Sequence, residues 1–108
     1  MTEETKLQGD IIEALNRHPT VAFVRNNTVG MAKVKGRYIS IGKKGDLDVY
    51  GMTTRGKYFE MEIKLAGKEG ANKVRLEMQI QRVVFISNNF GIAGLVTSVE
   101  QAIDLIQA

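Results

Sequence analysis

Tyr58-Phe59-Glu60-Met61-Glu62-Ile63-Lys64-Leu65 is the stretch on which the reading of this chain turns. It predicts a β-strand, and side chains two apart on a strand point to the same face. Glu62 and Lys64 therefore stand side by side as a carboxylate and an amine. Upstream, Gly45-Asp46-Leu47-Asp48 heads another predicted strand, Leu47-Asp48-Val49-Tyr50. If the two strands are neighbours, Asp48 joins the pair. Two acids and a lysine on adjoining strands are the least that is needed to hold a hard cation beside a phosphodiester and orient a water against it. Asp46 and Asp48 share one strand face, so spacing alone does not choose between them. Glu60 shares the face of Glu62 and reads as a peripheral acid.

Outward from these strands, the chain alternates helical and extended patterns. Thr5 to Asn16 reads as a helix, with Thr2 as N-cap, Glu3 and Glu4 at the positive end of its dipole, and Leu7, Ile11, Ile12 and Leu15 as its apolar stripe. Pro19 ends it. Val21 to Val24 reads as a short buried strand, and Asn26-Asn27-Thr28-Val29-Gly30 as a turn. Lys33 to Ile41 reads as one exposed strand with Gly36 as a bulge. Thr53 to Lys57 is a hairpin loop leading into the Glu62 strand. Lys73 to Asn88 reads as a second helix, stopped by Gly91. Ile92 to Val96 is a buried strand, and Ser98 caps a last helix, Val99 to Gln107. The expected order is α-β-β-β-β-α-β-α, an α/β architecture with helices flanking a mixed sheet.

Bulk properties narrow the possibilities. A chain of 108 residues makes one domain with one core. With 44% hydrophobic and 25% charged residues, wholesale disorder is not expected. No apolar run reaches the length of a membrane span, and the acidic start Met1-Thr2-Glu3-Glu4-Thr5 lacks the features of a signal peptide. There is no cysteine, hence no disulfide and no thiolate metal site, which fits a reducing cytoplasm. With a single histidine as well, zinc is disfavoured, and the oxygen ligands favour Mg²⁺ or Mn²⁺. His18 itself reads as a helix-end surface residue. The net charge of +3 says little, but its distribution says more. Arg25, Lys33, Lys35, Arg37, Lys43 and Lys44 follow one another with no acid before Asp46. An isolated run of this kind is usually a solvated face. Leading straight into the Asp/Glu/Lys set, it points to a surface for a phosphate backbone.

The ordered set resembles the PD-(D/E)XK nuclease superfamily and, more narrowly, the VRR-NUC (virus-type replication-repair nuclease) family. The residues that carry the resemblance are Glu4 and Gln8 on the leading helix, Arg25-Asn26-Asn27-Thr28, Gly45-Asp46-Leu47-Asp48, Glu62-Ile63-Lys64, and Gln79 or Gln81 on the second helix. The segment Gly91 to Glu100 is similar to the end of phage members, so the likeness spans nearly the whole chain. Two departures are Leu47, where the family often has proline, and Val29-Gly30-Met31 in the turn. The resemblance implies a restriction-endonuclease-like core and selects Asp48 over Asp46. It implies that Asp48, Glu62 and the Ile63 carbonyl hold the ion, with Lys64 orienting or deprotonating the attacking water and offsetting charge on the phosphate. It also implies hydrolysis to a 5′-phosphate and a 3′-hydroxyl.

Helix geometry bears on the two open assignments. Glu4 and Gln8 fall on the face of Leu7, Ile11 and Leu15, whereas Glu13 falls opposite. Glu4 is thus the better further acid, for a second ion or a water on the first; the alternative is that it only complements the helix dipole. On the second helix Leu76, Ile80, Val83 and Val84 define the expected inward face, with Gln79 at its edge and Gln81 well away. Gln79 is preferred as the site glutamine; the alternative is a bond to backbone. Val74, Met78 and Phe85 form an opposite apolar stripe, to be covered by a partner or by the last helix.

For phage-type single-domain members the resemblance implies a homodimeric Holliday-junction resolvase, a two-fold arrangement that suits a four-way DNA junction. Arg25, Asn27, Lys33, Lys35 and Arg37, with Lys43 and Lys44, would contact the DNA backbone and read shape rather than sequence. Three alternatives accompany this expectation: a flap or duplex nuclease of the same fold, a catalytically silent DNA-binding module, and an adaptor whose acids are only a solvated face.

Overall fold

A computed structural model describes residues 1–27, 30–41 and 46–107, with backbone alone for residues 30–34 and 38–41. The chain folds as α1 (Glu3–Arg17), β1 (Val21–Asn26), β2 (Gly30–Val34), β3 (Arg37–Ile41), β4 (Val49–Thr53), β5 (Tyr58–Ile63), α2 (Lys73–Asn88), β6 (Ile92–Val96) and α3 (Val99–Gln107). One sheet runs β1-β4-β5-β6, and β2 and β3 form a separate two-stranded sheet. The β1/β4 and β4/β5 pairs are antiparallel and β5/β6 is parallel, so α2 is the crossover that a parallel pair requires.

Helices cover both faces of the sheet. Ile11 and Leu15 of α1 and Ala102 and Ile106 of α3 pack with Val49, Phe59, Met61, Ile63, Ile92 and Val96 in the core. On the other face α2 lies over β5 and β6. That double cover explains why β5 is buried at every position after Tyr58, whichever way its side chains point. The even-numbered residues Glu60 and Glu62 face α2, and both are buried. Gly51 marks the tightest point under the opposite layer. A Cβ there would come within 2.5 Å of the Phe59 ring and would collide with the Phe23 carbonyl oxygen.

Several expectations are corrected. The exposed strand expected over 33–41 is instead a hairpin, because Lys35 (φ 51°) and Gly36 (φ 80°) both take the left-handed conformation that reverses a two-residue turn. The sheet strands before α2 therefore number one more than the pattern suggested. The Leu47–Tyr50 strand begins only at Val49, so Asp46 and Asp48 precede it and do not share a strand face. On α2, Gln79 and Ile86 are the buried residues, while Ile80 and Val84 are exposed. Glycine does not make the left-handed stop after α2: Asn89 is the C-cap and Phe90 (φ 68°) carries the positive angle. The last helix does not cross the Val74/Met78/Phe85 stripe; α3 packs on α1 and β6, and those three side chains stay exposed. The caps follow the sequence: Thr2 Oγ1 accepts from the Thr5 N–H at 3.1 Å, and Ser98 Oγ from the Gln101 N–H at 3.1 Å. Among the described residues no helix is long and apolar enough to cross a membrane.

Gly51→Ala forces backbone and ring apart in a filled core. It is expected to destabilise the fold by about 3 kcal/mol, read as a lowered urea midpoint with an unchanged slope.

Candidate active site

Asp48 and Glu62 meet at the β4–β5 junction. The Val49↔Met61 pairing puts the residue just before β4 level with the end of β5. There Asp48 Oδ2 accepts the Ile63 backbone N–H at 2.9 Å. The Glu62 carboxyl lies within hydrogen-bonding reach of Asp48, and Lys64 Nζ is 3.7 Å from Glu62 Oε2. Glu62 is only 3% exposed. Its carboxyl is pushed up to about 7, first by burial and then by the charge of Asp48 and the hydrogen bond to it, against the opposing pull of Lys64 and Arg75. Two acids crowded in this way are what a divalent cation would relieve.

Gln79 belongs to the same face. It is 7% exposed, and its Oε1 is buried with no hydrogen-bond partner among the described residues. Arg82, one turn after it, pairs with Glu60, while Arg75, one turn before it, acts on Glu62. The helix therefore runs antiparallel to β5, with Gln79 between the two carboxylates. An orphaned buried oxygen normally has a water, an ion or a ligand as partner. The two carboxylates of Asp48 and Glu62 are hard oxygen donors of the kind that fits a hard cation. Gln81 is exposed.

Glu4 is exposed at the start of α1 and lines a cleft with Lys64, Lys68, Asn72 and Arg75. Among the described residues no third acid or histidine converges with Asp48 and Glu62. Glu13 is occupied in an exposed pair with Arg17. Gln8 Nε2 donates to Asn26 Oδ1 at 2.5 Å, and the Asn27 N–H donates to the Asp48 carbonyl at 2.8 Å, so the turn after β1 is tied both to α1 and to the segment bearing Asp48. Arg25 donates to the Val24 carbonyl at 2.9 Å and lies 5.4 Å from the Phe23 ring centre. Lys35 and Arg37 are exposed at the hairpin turn. Lys33 is placed on β2 by its backbone alone, and Lys43, Lys44, Gly45 and Thr28 lie outside the described residues.

Three residues of this region were not singled out by the sequence pattern. Arg75 and Lys68 add cations to the Lys64 cleft. The signal for Arg75 was available in the helical spacing of Arg75, Gln79 and Arg82, whereas Lys68 precedes α2 and had none. Arg82 is the third, and its partner Glu60 is wholly buried. Burial alone would raise its carboxyl, but hydrogen bonds from Arg82, Tyr58 and the Leu47 N–H outweigh that and hold it below the usual carboxylate range. Asp46 turns away from Asp48 and pairs with Arg82 at 3.3 Å.

The chain matches no known protein-family model, and no curated protein is significantly similar to it.

The Glu62 shift sets a pH dependence for metal-free protein. Below the ordinary value of 4.5 the group is protonated both folded and unfolded and costs nothing. As pH rises from there toward 7 the unfolded chain ionises while the folded one holds its proton, so stability falls, by about 3 kcal/mol in all. Asp48→Asn removes the neighbouring charge and leaves an oxygen for the Ile63 N–H. It is expected to stabilise the metal-free protein by about 1 kcal/mol at pH 8 and not at pH 4. Urea titration of both proteins at the two pH values checks this, and an equal effect at both would refute it.

Proposed function

We propose that the chain is a metal-dependent, structure-specific DNA endonuclease of the VRR-NUC type, built on a restriction-endonuclease-like core and acting as a homodimer on four-way junctions. One observation carries the reading: the carboxyl groups of Asp48 and Glu62 adjoin, with the Lys64 amine beside them. Asp48, Glu62 and the Ile63 carbonyl would hold Mg²⁺ or Mn²⁺, which when bound supplies Lewis acidity and neutralises charge at the scissile phosphate. Lys64, held near Glu62, would orient the attacking water and oppose the charge that builds on the phosphate oxygens. Gln79, whose buried Oε1 has no partner among the described residues, would accept a hydrogen bond from a water at the site. Glu4 reaches the cleft from α1 and acts from its rim.

Arg25, Asn27, Lys33, Lys35, Arg37, Lys43 and Lys44, and with them Lys68 and Arg75, would contact the DNA backbone. The absence of a base-reading pattern in the sequence suits recognition by shape. The homodimer is supported by α2, which leaves Val74 at 74%, Met78 at 55% and Phe85 at 56% exposed on one side. Side chains this apolar on a single helix face are the usual signature of a partner surface. A second copy would pair α2 with α2 about a two-fold axis and fix the separation of two sites that cut opposing strands. A cytoplasmic site of action is consistent with the lack of cysteine.

With Mn²⁺ or Mg²⁺, wild-type protein is expected to cleave a four-way junction in preference to a flap or a linear duplex, leaving 5′-phosphates. Lys64→Ala and Glu62→Gln should each reduce the rate by about 10²-fold or more. Preference for the flap or duplex would replace the junction assignment, and absence of any divalent-dependent cleavage would leave only a binding module. Separately, Met78→Glu with Phe85→Glu should convert a dimer to a monomer in sedimentation without loss of helicity. A wild-type protein that is monomeric at tens of micromolar would remove the dimer from the proposal.

A further inference from the structure

Beside the Asp48–Glu62 pair lies a second charged cluster to which the nuclease reading gives no task. Glu60, two residues before Glu62 on the same face of β5, is 0% exposed. Its Oε1 accepts from the Leu47 N–H at 3.1 Å and from Arg82 Nε at 3.0 Å. Its Oε2 accepts from Arg82 Nη2 at 2.5 Å and from the Tyr58 hydroxyl. The same Arg82 Nη2 lies 3.3 Å from Asp46 Oδ1. Arg82 thus bridges two carboxylates, one on β5 and one ahead of β4.

A buried ion pair is a poor device for stability alone, since an apolar pair of similar volume commonly does as well. Where the contacts end is more telling. Two of them, on the Leu47 N–H and on the Asp46 carboxylate, fall on the two residues that precede Asp48. Ladder pairing of β4 starts only at Val49, so it does not hold these residues. Residues 46–47 are fixed instead from β5 and from α2.

We infer that Glu60 and Arg82 are positioning residues for Asp48: they clamp the segment ahead of β4, so that the Asp48 carboxylate stays on the Ile63 N–H and beside Glu62. The inference rests on the reading of Asp48 and Glu62 as the ion-binding pair. The forked guanidinium is what the task needs, because one planar group must serve Glu60 through two nitrogens and still reach Asp46.

The test removes the clamp without stranding a buried charge, using Glu60→Leu together with Arg82→Met. Amide hydrogen exchange at Ile63 reports the Asp48 contact with no metal present, and exchange at Met61, deeper in the same strand, reports the sheet. Mn²⁺ affinity is measured by calorimetry. Exchange at Ile63 is expected to quicken about tenfold or more while Met61 is unchanged, and Mn²⁺ affinity to fall about 10- to 100-fold. Ile63 exchange within about twofold of wild type in a folded variant would overturn the inference. Should the double variant not fold, Arg82→Lys, which keeps the cation and loses the fork, is expected to give the same shifts in smaller measure, and no shift at Ile63 overturns the inference. Wild-type protein that binds no Mn²⁺ would defeat the nuclease reading on its own, with Ile63 exchange still deciding the clamp.

Discussion

A strand covered on both faces must satisfy any charge it carries from within the protein, and β5 carries two carboxylates into that position. Everything distinctive about this molecule follows from how the two are treated. Glu60 is given a guanidinium, a phenol and a backbone N–H, and is held as a settled anion. Glu62, two residues on, is given another acid and an amine at 3.7 Å, and stays in tension. The good hydrogen bonds go to the first carboxylate, while burial and the neighbouring Asp48 push the second up. Perturbed carboxylates beside a specific charge partner cluster at functional sites, though structural ion-pair networks produce them too.

Asp48 shows how local structure produces that difference. It sits one residue outside β4, its carbonyl accepting the Asn27 N–H, and its side chain takes over the Ile63 N–H at the end of β5. A ladder bond is thereby replaced by a carboxylate, and the carboxylate is delivered to Glu62. The helix opposite carries Gln79 and Arg82 toward β5 one turn apart, with Arg75 exposed a turn earlier. Its side bearing Val74, Met78 and Phe85 is exposed and uncovered by any described element.

Much of this was legible in the sequence, for reasons that can be stated. Period-two and period-3.6 patterns located the three helices and the sheet strands, and capping side chains fixed the starts of α1 and α3. The same-face rule placed Glu62 with Lys64, but it left Asp46 and Asp48 undecided, because both lie ahead of β4 rather than on it. What the pattern did not convey depends on tertiary pairing. Whether Lys35-Gly36 makes a bulge or a hairpin is settled by two consecutive positive φ angles, which Gly36 signals and Lys35 does not. Glu60 looks like Glu62 in sequence; only the approach of Arg82 from a segment 22 residues later separates them. The inward face of α2 was misjudged because its inner side is built on glutamine and arginine as well as on leucine, valine and isoleucine, so hydrophobicity alone pointed to Ile80 and Val84.

The account stands on the proposition that Asp48 and Glu62 together form a cation site. Calorimetric titration of metal-free protein with Mn²⁺ near pH 6.5, in two buffers of different ionisation heat, addresses it directly. Binding is expected to release a proton from Glu62, seen as a buffer-dependent heat that is lost in Glu62→Gln. Mn²⁺ binding with no proton release, or the same heat in Glu62→Gln as in wild type, would place the ion elsewhere and contradict the account.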